Sequence, residues 1–386
     1  MSKLPYIVFG KPDIRQPEKD ELLDSLDHSW LGTGPKVKKF EQDFADYKSI
    51  DVSQVAAVNS CTAALHLAML AAGLNRGDEV ITTSMTFCAT VNAIIHAGCT
   101  PVLADIDKDT YNIDPEAVLR RITPRTRAIV VVHYAGTPCD MDSIMKIARQ
   151  YDLKVIEDCA HAIESEYKGR KLGTIGDFGC FSFYVTKNMT TGEGGMVIGR
   201  QRSSIERIKT LALHGMSTDA WSRFSDNGYK HYQVIEPGFK YNMMDLQAAL
   251  GIHQLARLDS NWQQRRALFQ QYMSAFSSLP LKLPDAGAAD CKAAYHLFPV
   301  LIDETTAKIS RDQFMLELHK RGIGTGVHYL SIPSHQYYRD TFNWRTDDYP
   351  HARKVGETTV SLPFSATLSQ AEIDYIIETI VSLLTP

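Results

Sequence analysis

Lys187 stands just past an apolar run, Phe181-Ser182-Phe183-Tyr184-Val185-Thr186. It stands just before Asn188-Met189-Thr190-Thr191-Gly192-Glu193-Gly194-Gly195-Met196, where paired glycines let the chain reverse. Lysine is the side chain that condenses with an aldehyde, and burial lowers its pKa enough to leave it nucleophilic. Taken alone, a lysine in a turn is more often a solvated surface residue, so the position gains meaning only from its companions. Asp158 closes the apolar run Val155-Ile156-Glu157 and precedes Cys159-Ala160-His161-Ala162. Open α/β sheets place their ligand crevice at such strand ends. A carboxylate buried there needs a cationic partner, unless it simply caps the next helix. His161 is either a hydrogen-bonding group for a bound ring or a satisfied packing histidine.

The stretch Asn59-Ser60-Cys61-Thr62-Ala63-Ala64-Leu65 puts small polar residues at the opening of a helix. Free backbone N–H groups and the helix dipole favour a phosphate there. Ser60, Cys61, Thr62 and Ala63 are the candidates, with Thr62 and Ala63 donating from the backbone and Thr62 also from its hydroxyl. Ser182 could add a further hydroxyl from another strand. An ordinary capped helix is the alternative. Phe87, soon after a strand, either stacks on a planar ring or packs in the core. A phosphate cradle, a stacking face, an acid for a ring nitrogen and an amine for an aldehyde are together the needs of pyridoxal 5′-phosphate.

Elements must bring these residues together. Apolar, β-branched runs at 79–83 (EVITT), 101–105 (PVLAD), 128–133 (AIVVVH), 154–157 (KVIE), 180–183 (CFSF) and 195–198 (GMVI) read as strands. Their near-continuous apolar character predicts burial on both faces, as in a mostly parallel sheet. Helices are expected between them at 62–72, 115–121 and 141–151, the last two following Asp114 and Asp140 as N-caps. The alternation predicts a doubly wound α/β layer. A long helix is expected over 245–275, then a Pro, Ala and Gly connector at 279–289. A strand at 296–302, a helix at 311–321, a Gly-rich loop and a helix after Ser369 follow. A large domain over 1–255 and a small C-terminal α/β domain over 256–386 are therefore expected.

At this point the sequence resembles the DegT/DnrJ/StrS family of sugar aminotransferases. The matching stretches include TGPKVKKFEQDFADY (33–47), NSCTAALHLAML (59–70), GDEVITTSMTFCATVNAI (77–94), IEDCAHA (156–162), FSFYVTKNMTTGEGGM (181–196), GFKYNMMDLQAALG (238–251) and RGIGTGVHYL (321–330), spread over nearly the whole chain. The resemblance implies the fold-type I aminotransferase fold and a pyridoxal-phosphate cofactor. It makes Lys187 the Schiff-base lysine, pairs Asp158 with the pyridinium nitrogen and sets His161 on the ring hydroxyl. Phe87 then stacks on the ring, and Thr62, Ala63 and Ser182 hold the phosphate. Asn242 would reach the phosphate from the other subunit of a homodimer with shared sites. Cys61 departs from the Gly or Ala of many members, and its side chain is still small. Relatives with histidine in place of the lysine are dehydratases; Lys187 is present here.

The implied reaction takes an amine from L-glutamate to a keto-sugar. The segment 214–240 and the run 321–329 resemble the branch that aminates C4 of 4-keto sugars on a nucleoside diphosphate. Trp30, Thr33, Gly34, Lys240, His328 and Tyr329 are the substrate-side candidates, Lys240 as a cation for the diphosphate. Trp30 and Tyr329 could equally be packing residues, and His328 a solvated loop histidine. A cyclitol aminotransferase acting on a keto-inositol shares every cofactor residue. A non-catalytic pyridoxal-phosphate-binding regulator would usually append a helix-turn-helix, for which no basic arm is visible.

Bulk properties narrow the field. The 386 residues exceed what one compact core usually holds. A formal net charge of −4 argues against nucleic-acid binding. Seven scattered cysteines with no CxxC read as reduced thiols of a cytoplasmic protein. The first ten residues lack the apolar core of a signal peptide, and no run is long enough to span a bilayer. Histidines without HExxH spacing suggest no metal site, and the glycines at 192–195 precede a strand, unlike a dinucleotide-binding loop.

Overall fold

The computed structural model describes residues 5–217, 232–285 and 287–385. The first four residues, the middle of the 214–240 segment and position 286 of the connector lie outside the described residues. Seven strands form the central sheet: β1 (Val55–Val58), β2 (Glu79–Thr83), β3 (Thr100–Ala104), β4 (Thr126–Val132), β5 (Lys154–Asp158), β6 (Phe178–Ser182) and β7 (Gly195–Gly199). Their order is β1-β7-β6-β5-β4-β2-β3. Pairings from β3 through β6 are parallel, whereas β7 runs antiparallel to both β6 and β1. This is an α/β fold with a mostly parallel sheet.

The apolar strands are explained by layers on both faces. α1 (Gln16–Asp27) and α2 (Pro35–Lys48) precede the sheet. α3 (Cys61–Ala71), α4 (Cys88–His96), α5 (Pro115–Leu119), α6 (Met141–Tyr151) and α7 (Arg202–Ala212) connect its strands or follow it. Phe40, Phe44, Val118 and Ile144 pack with Ile129, Val131 and Val155 on one face. Leu65, Leu67, Ile94 and Ile208 pack with Ala128, Val130 and Ile156 on the other. Alternate residues of β4 and β5 thus serve opposite cores, as a two-residue repeat requires.

Two expectations are corrected. The single helix over 245–275 is two, α8 (Asp245–Ala256) and α9 (Leu258–Ala275). The break falls at Arg257, whose ψ of 9° leaves the helical range. Arg257 is drawn there by Asp13 and Glu18, which take its guanidinium. The strand expected from 296 begins two residues later. β1, four residues with no strong strand signature, was not anticipated.

A second sheet, β8 (Leu281–Lys282), β9 (Phe298–Ile302) and β10 (Thr359–Leu362), is antiparallel in the order β8-β9-β10. It packs against α9, α10 (Arg311–Lys320) and α11 (Gln370–Leu384) around Phe269, Phe298, Phe314, Val360 and Ile376. The N-terminal segment, expected with the large domain, adds Ile7 to this second core. Ile7 bridges Ile323 in parallel, and Tyr6 Oη meets His319 Nδ1 at 3.0 Å. The segment then passes Thr186, where Gly10 leaves only 3.1 Å for a side-chain carbon. It ends on α8 and Arg257, with Gln254 Nε2 and an Arg257 N–H donating to the Asp13 carbonyl. Among the described residues no helix is long and apolar enough to cross a membrane.

Candidate active site

A cavity of about 540 Å³ opens at the carboxyl ends of the parallel strands. Asp158 is the last residue of β5 and is buried. Its Oδ2 accepts from Thr90 Oγ1 at 2.9 Å, and its Oδ1 accepts from the Ala160 N–H at 3.1 Å. Thr90 in turn takes a hydroxyl contact from Thr86 at 2.8 Å, so α4 delivers a hydroxyl chain to the carboxylate. Among the described residues no cationic side chain forms an ion pair with Asp158. Burial accordingly pushes its pKa up, against those two hydrogen bonds.

The position of Asp158 is fixed by its neighbour. Glu157 points to the opposite face and is fully buried. Its carboxylate accepts from the Gly173, Ile175 and Gly176 N–H groups. His133 Nδ1 accepts from the Cys139 N–H, so its Nε2 carries the proton and donates to Glu157 at 3.2 Å. These donors outweigh burial and lower the Glu157 pKa. Glu157, His133 and Cys159 come within 4.8 Å of one another. The oxygens of Glu157 are already occupied, and the set anchors β4, β5 and the 173–176 turn.

The α3 N-terminus forms another wall. Ser60 is the N-cap, and its Oγ accepts from the Ala63 N–H at 3.1 Å. Ala63 is therefore engaged within the helix start and does not line the cavity, leaving the Cys61 and Thr62 N–H groups outside the cap bond. Cys61 Sγ lies 3.9 Å from Asp158 Oδ1. Gly195 of β7 passes so close that a Cβ there would sit 2.5 Å from the Ser60 carbonyl carbon. Glycine is what lets β7 and this helix start meet. Ser182, at the end of β6, also lines the cavity.

Lys187 lies in the turn between β6 and β7, its N–H donating to Tyr184 O at 2.9 Å. Its Nζ makes no hydrogen bond or ion pair with the described residues. Desolvation brings its pKa down to about 8. His161 Nε2 meets Tyr329 Oη at 3.0 Å, and His161 Nδ1 is buried without a partner. Burial and the nearby Lys187 hold His161 well below its ordinary pKa. Tyr329 and His328 complete the wall. Tyr134 donates to the His328 carbonyl, His328 Nδ1 meets Ser361 Oγ at 2.9 Å, and Phe9 stacks on the His328 ring. Phe87 is 57% exposed at the cavity edge, its ring 5.8 Å from that of Tyr329.

Lys187, Asp158, His161, Ser60, Cys61, Thr62, Ser182, Phe87, His328 and Tyr329 are thus brought to one cavity. Trp30, Thr33, Gly34, Lys240 and Asn242 do not line it in their own chain. They lie around the start of α8. Thr33 Oγ1 donates to Met243 O and accepts from Asn242 Nδ2 at 2.6 Å, and the Gly34 N–H donates to Asp245. Trp30 lies against Gly34, where any Cβ would collide with the indole. The Lys240 carbonyl accepts from Asn59 Nδ2, and Asn242 Oδ1 is buried without a partner. Sequence reasoning missed Thr90, Glu157, His133 and Phe9. The Thr86–Thr90 spacing and the acidic pair Glu157-Asp158 were the available signals for the first two. Phe9 carried none.

The donor set defines what fits. It offers N–H groups for an anion, an unpaired buried carboxylate for a cation, and a neutral imidazole with one free nitrogen. It adds an exposed aromatic face for a planar ring and a nucleophilic amine for an aldehyde. Pyridoxal phosphate presents every one of these partners.

The model of the DegT/DnrJ/EryC1/StrS aminotransferase family matches residues 12–381. The chain is 43% identical over 376 residues to the spore coat polysaccharide biosynthesis protein SpsC of Bacillus subtilis, covering 97% of this chain and 96% of that one. Among solved structures, the candidate sugar aminotransferase Spr1654 from Streptococcus pneumoniae superposes with a TM-score of 0.91 at 32% identity in its PLP form, covering 98% of each chain. It has also been solved in a PMP form. Helicobacter pylori PseC, an aminotransferase involved in the biosynthesis of pseudoaminic acid, gives a TM-score of 0.89 at 28% identity, covering 98% of this chain and 99% of its own.

Proposed function

This chain belongs to the DegT/DnrJ/EryC1/StrS aminotransferase family as a pyridoxal-phosphate-dependent sugar aminotransferase, and on that premise we propose that it moves an amino group from L-glutamate to a nucleotide-linked keto-sugar. The acceptor carbon is C4 of a 4-keto-6-deoxy or 4-keto-pentose sugar, and the product enters surface polysaccharide or amino-sugar biosynthesis. The observation that carries this reading is the convergence of Lys187, Asp158, His161 and the first turn of α3 on one cavity. The polysaccharide role of SpsC and the pseudoaminic acid role of PseC support the choice of acceptor class.

When bound, pyridoxal phosphate supplies an aldehyde for the migrating amine and a protonated ring that takes up electrons as the donor's α C–H bond breaks. Asp158 keeps the ring nitrogen protonated. The Cys61 and Thr62 N–H groups, which lie outside the Ser60 cap bond, would hold the phosphate with the Thr62 and Ser182 hydroxyls. Phe87 covers the ring, and His161 faces its hydroxyl. Lys187 would bond the cofactor's aldehyde, and its Nζ would carry a proton from the donor's α-carbon to that aldehyde carbon, and in the second half from the aldehyde carbon to the sugar carbon. His328 and Tyr329 border the sugar. Asn242, Lys240, Trp30, Thr33 and Gly34 serve the neighbouring subunit's site in a homodimer.

The test is an absorbance spectrum of the purified protein before and after L-glutamate, followed by a screen of 4-keto sugar nucleotides and keto-inositols. A cofactor band discharged by glutamate and restored by a 4-keto sugar nucleotide is expected. Restoration by a keto-inositol alone would move the assignment to cyclitols, and a protein that takes up no pyridoxal phosphate would overturn it.

A further inference from the structure

A second, smaller cavity of about 40 Å³ meets Lys187. It shares only Thr186 and Lys187 with the large cavity, so the lysine stands between the two. Its walls are polar, and their bonding can be followed atom by atom. Asn188 Nδ2 donates to Glu164 Oε2 at 2.8 Å and to Ala294 O at 3.1 Å, which leaves Asn188 Oδ1 as acceptor. The partner of that oxygen is His296 Nδ1 at 2.8 Å, so His296 carries its proton there and its Nε2 is a bare acceptor. Arg265 is held by Glu164 and by Ala294 O. Asn261 is 4% exposed, and its Oδ1 is buried with no hydrogen-bond partner.

Asn261 and His296 therefore line the same small chamber as Lys187, and Asn261 Oδ1 and His296 Nε2 are acceptors with no hydrogen bond to the described residues. Buried acceptors find donors, and the chamber has room for about two or three water molecules. Its rim includes the exposed residues Lys11 and Thr367.

We propose that this chamber is a water site that exchanges protons with Lys187 from the side away from the substrate cavity. The consequence rests on the reading of Lys187 as the group that takes the donor's α-proton. The ammonium so formed carries that proton among three. Each exchange with a chamber water breaks one N–H bond and forms another, with no net change. The donor's own α-hydrogen is thereby lost to solvent before Lys187 delivers a proton onward.

Two measurements test this. A high-resolution crystal structure of the holoenzyme is expected to show ordered water within hydrogen-bond distance of Asn261 Oδ1 and His296 Nε2; a dry chamber, or both atoms bonded to protein groups, overturns the proposal. In a single turnover with α-deuterated L-glutamate, mass spectrometry of the aminated cofactor is expected to find little deuterium for the wild type. Asn261→Leu, which removes an acceptor and fills the chamber, should retain it several-fold more. Equal retention in the folded variant overturns the water route, and Ser365→Phe at the rim gives the same comparison if Asn261→Leu does not fold. A wild type that never breaks the donor's C–D bond refutes the aminotransfer reading instead, while the crystallographic result still decides the water site.

Discussion

At the scale of single residues the site turns on one amine and one carboxylate. Lys187→Ala is expected to lower kcat by at least ~10³-fold, since it removes the proposed proton carrier. The α3 wall and Asp158 should still retain the cofactor, so spectrum and rate should separate. A wild-type rate would refute the assignment. The pKa of Lys187 gives a second expectation. Burial lowers it to about 8, and only the neutral amine attacks an aldehyde. The rate at which apoenzyme captures pyridoxal phosphate should rise with pH and level off above about 8; for a solvated lysine the plateau would wait until about 10.4. Stopped-flow absorbance reads this directly. Asp158 runs the other way, because burial raises its pKa and a cationic ring nitrogen would relieve that cost.

At the scale of elements the site depends on how closely β7 approaches α3. Gly195→Ala forces a carbon to within 2.5 Å of the Ser60 backbone. Overpacking of this kind costs about 1–3 kcal/mol. The Tm should fall, and cofactor affinity should fall with it because the displaced helix start is the phosphate wall. An unchanged dissociation constant would detach α3 from cofactor binding. Glu157→Gln replaces an acceptor oxygen with an amide NH2 that faces N–H donors, and chemical denaturation should show a loss of about 1–3 kcal/mol. Much of this architecture was legible in the sequence. Doubly covered parallel strands announce themselves as unbroken apolar runs, and Asp114 and Asp140 do cap their helices. Asp158 and the 60–63 stretch could be singled out because they sit at a strand end and a helix start, and Lys187 because it stands in the turn between two strands. What stayed hidden depended on distant partners. Arg257 breaks the long helix because Asp13 and Glu18 lie across from it, and no local propensity reports that. The engagement of Ala63 by the Ser60 cap needed three-dimensional geometry, and so did the placing of Trp30 outside its own chain's cavity.

At the scale of the whole molecule, the proposed homodimer makes a strong expectation. If Asn242 completes the partner's phosphate site, Lys187→Ala and an Asn242 variant, each impaired alone, should complement when mixed and allowed to exchange subunits. A heterodimer would then hold one doubly damaged site and one intact site, so an equal mixture should recover about a quarter of wild-type activity. No recovery would place Asn242 in its own subunit's site. The N-terminal segment has a different kind of consequence. Tyr6 and His319 are 313 residues apart, and Ile7 is paired with Ile323. A ribosome adding ~5–20 residues per second makes the first of these partners roughly 15 s to a minute before the second. Until then Ile7 and Phe9 have no place to go, and the wall at His328 lacks its stacking ring. A segment made some 313 residues before its partner is among the last to be seated, so slow translation or a bulky fusion ahead of it should delay maturation of the site more than formation of the central sheet.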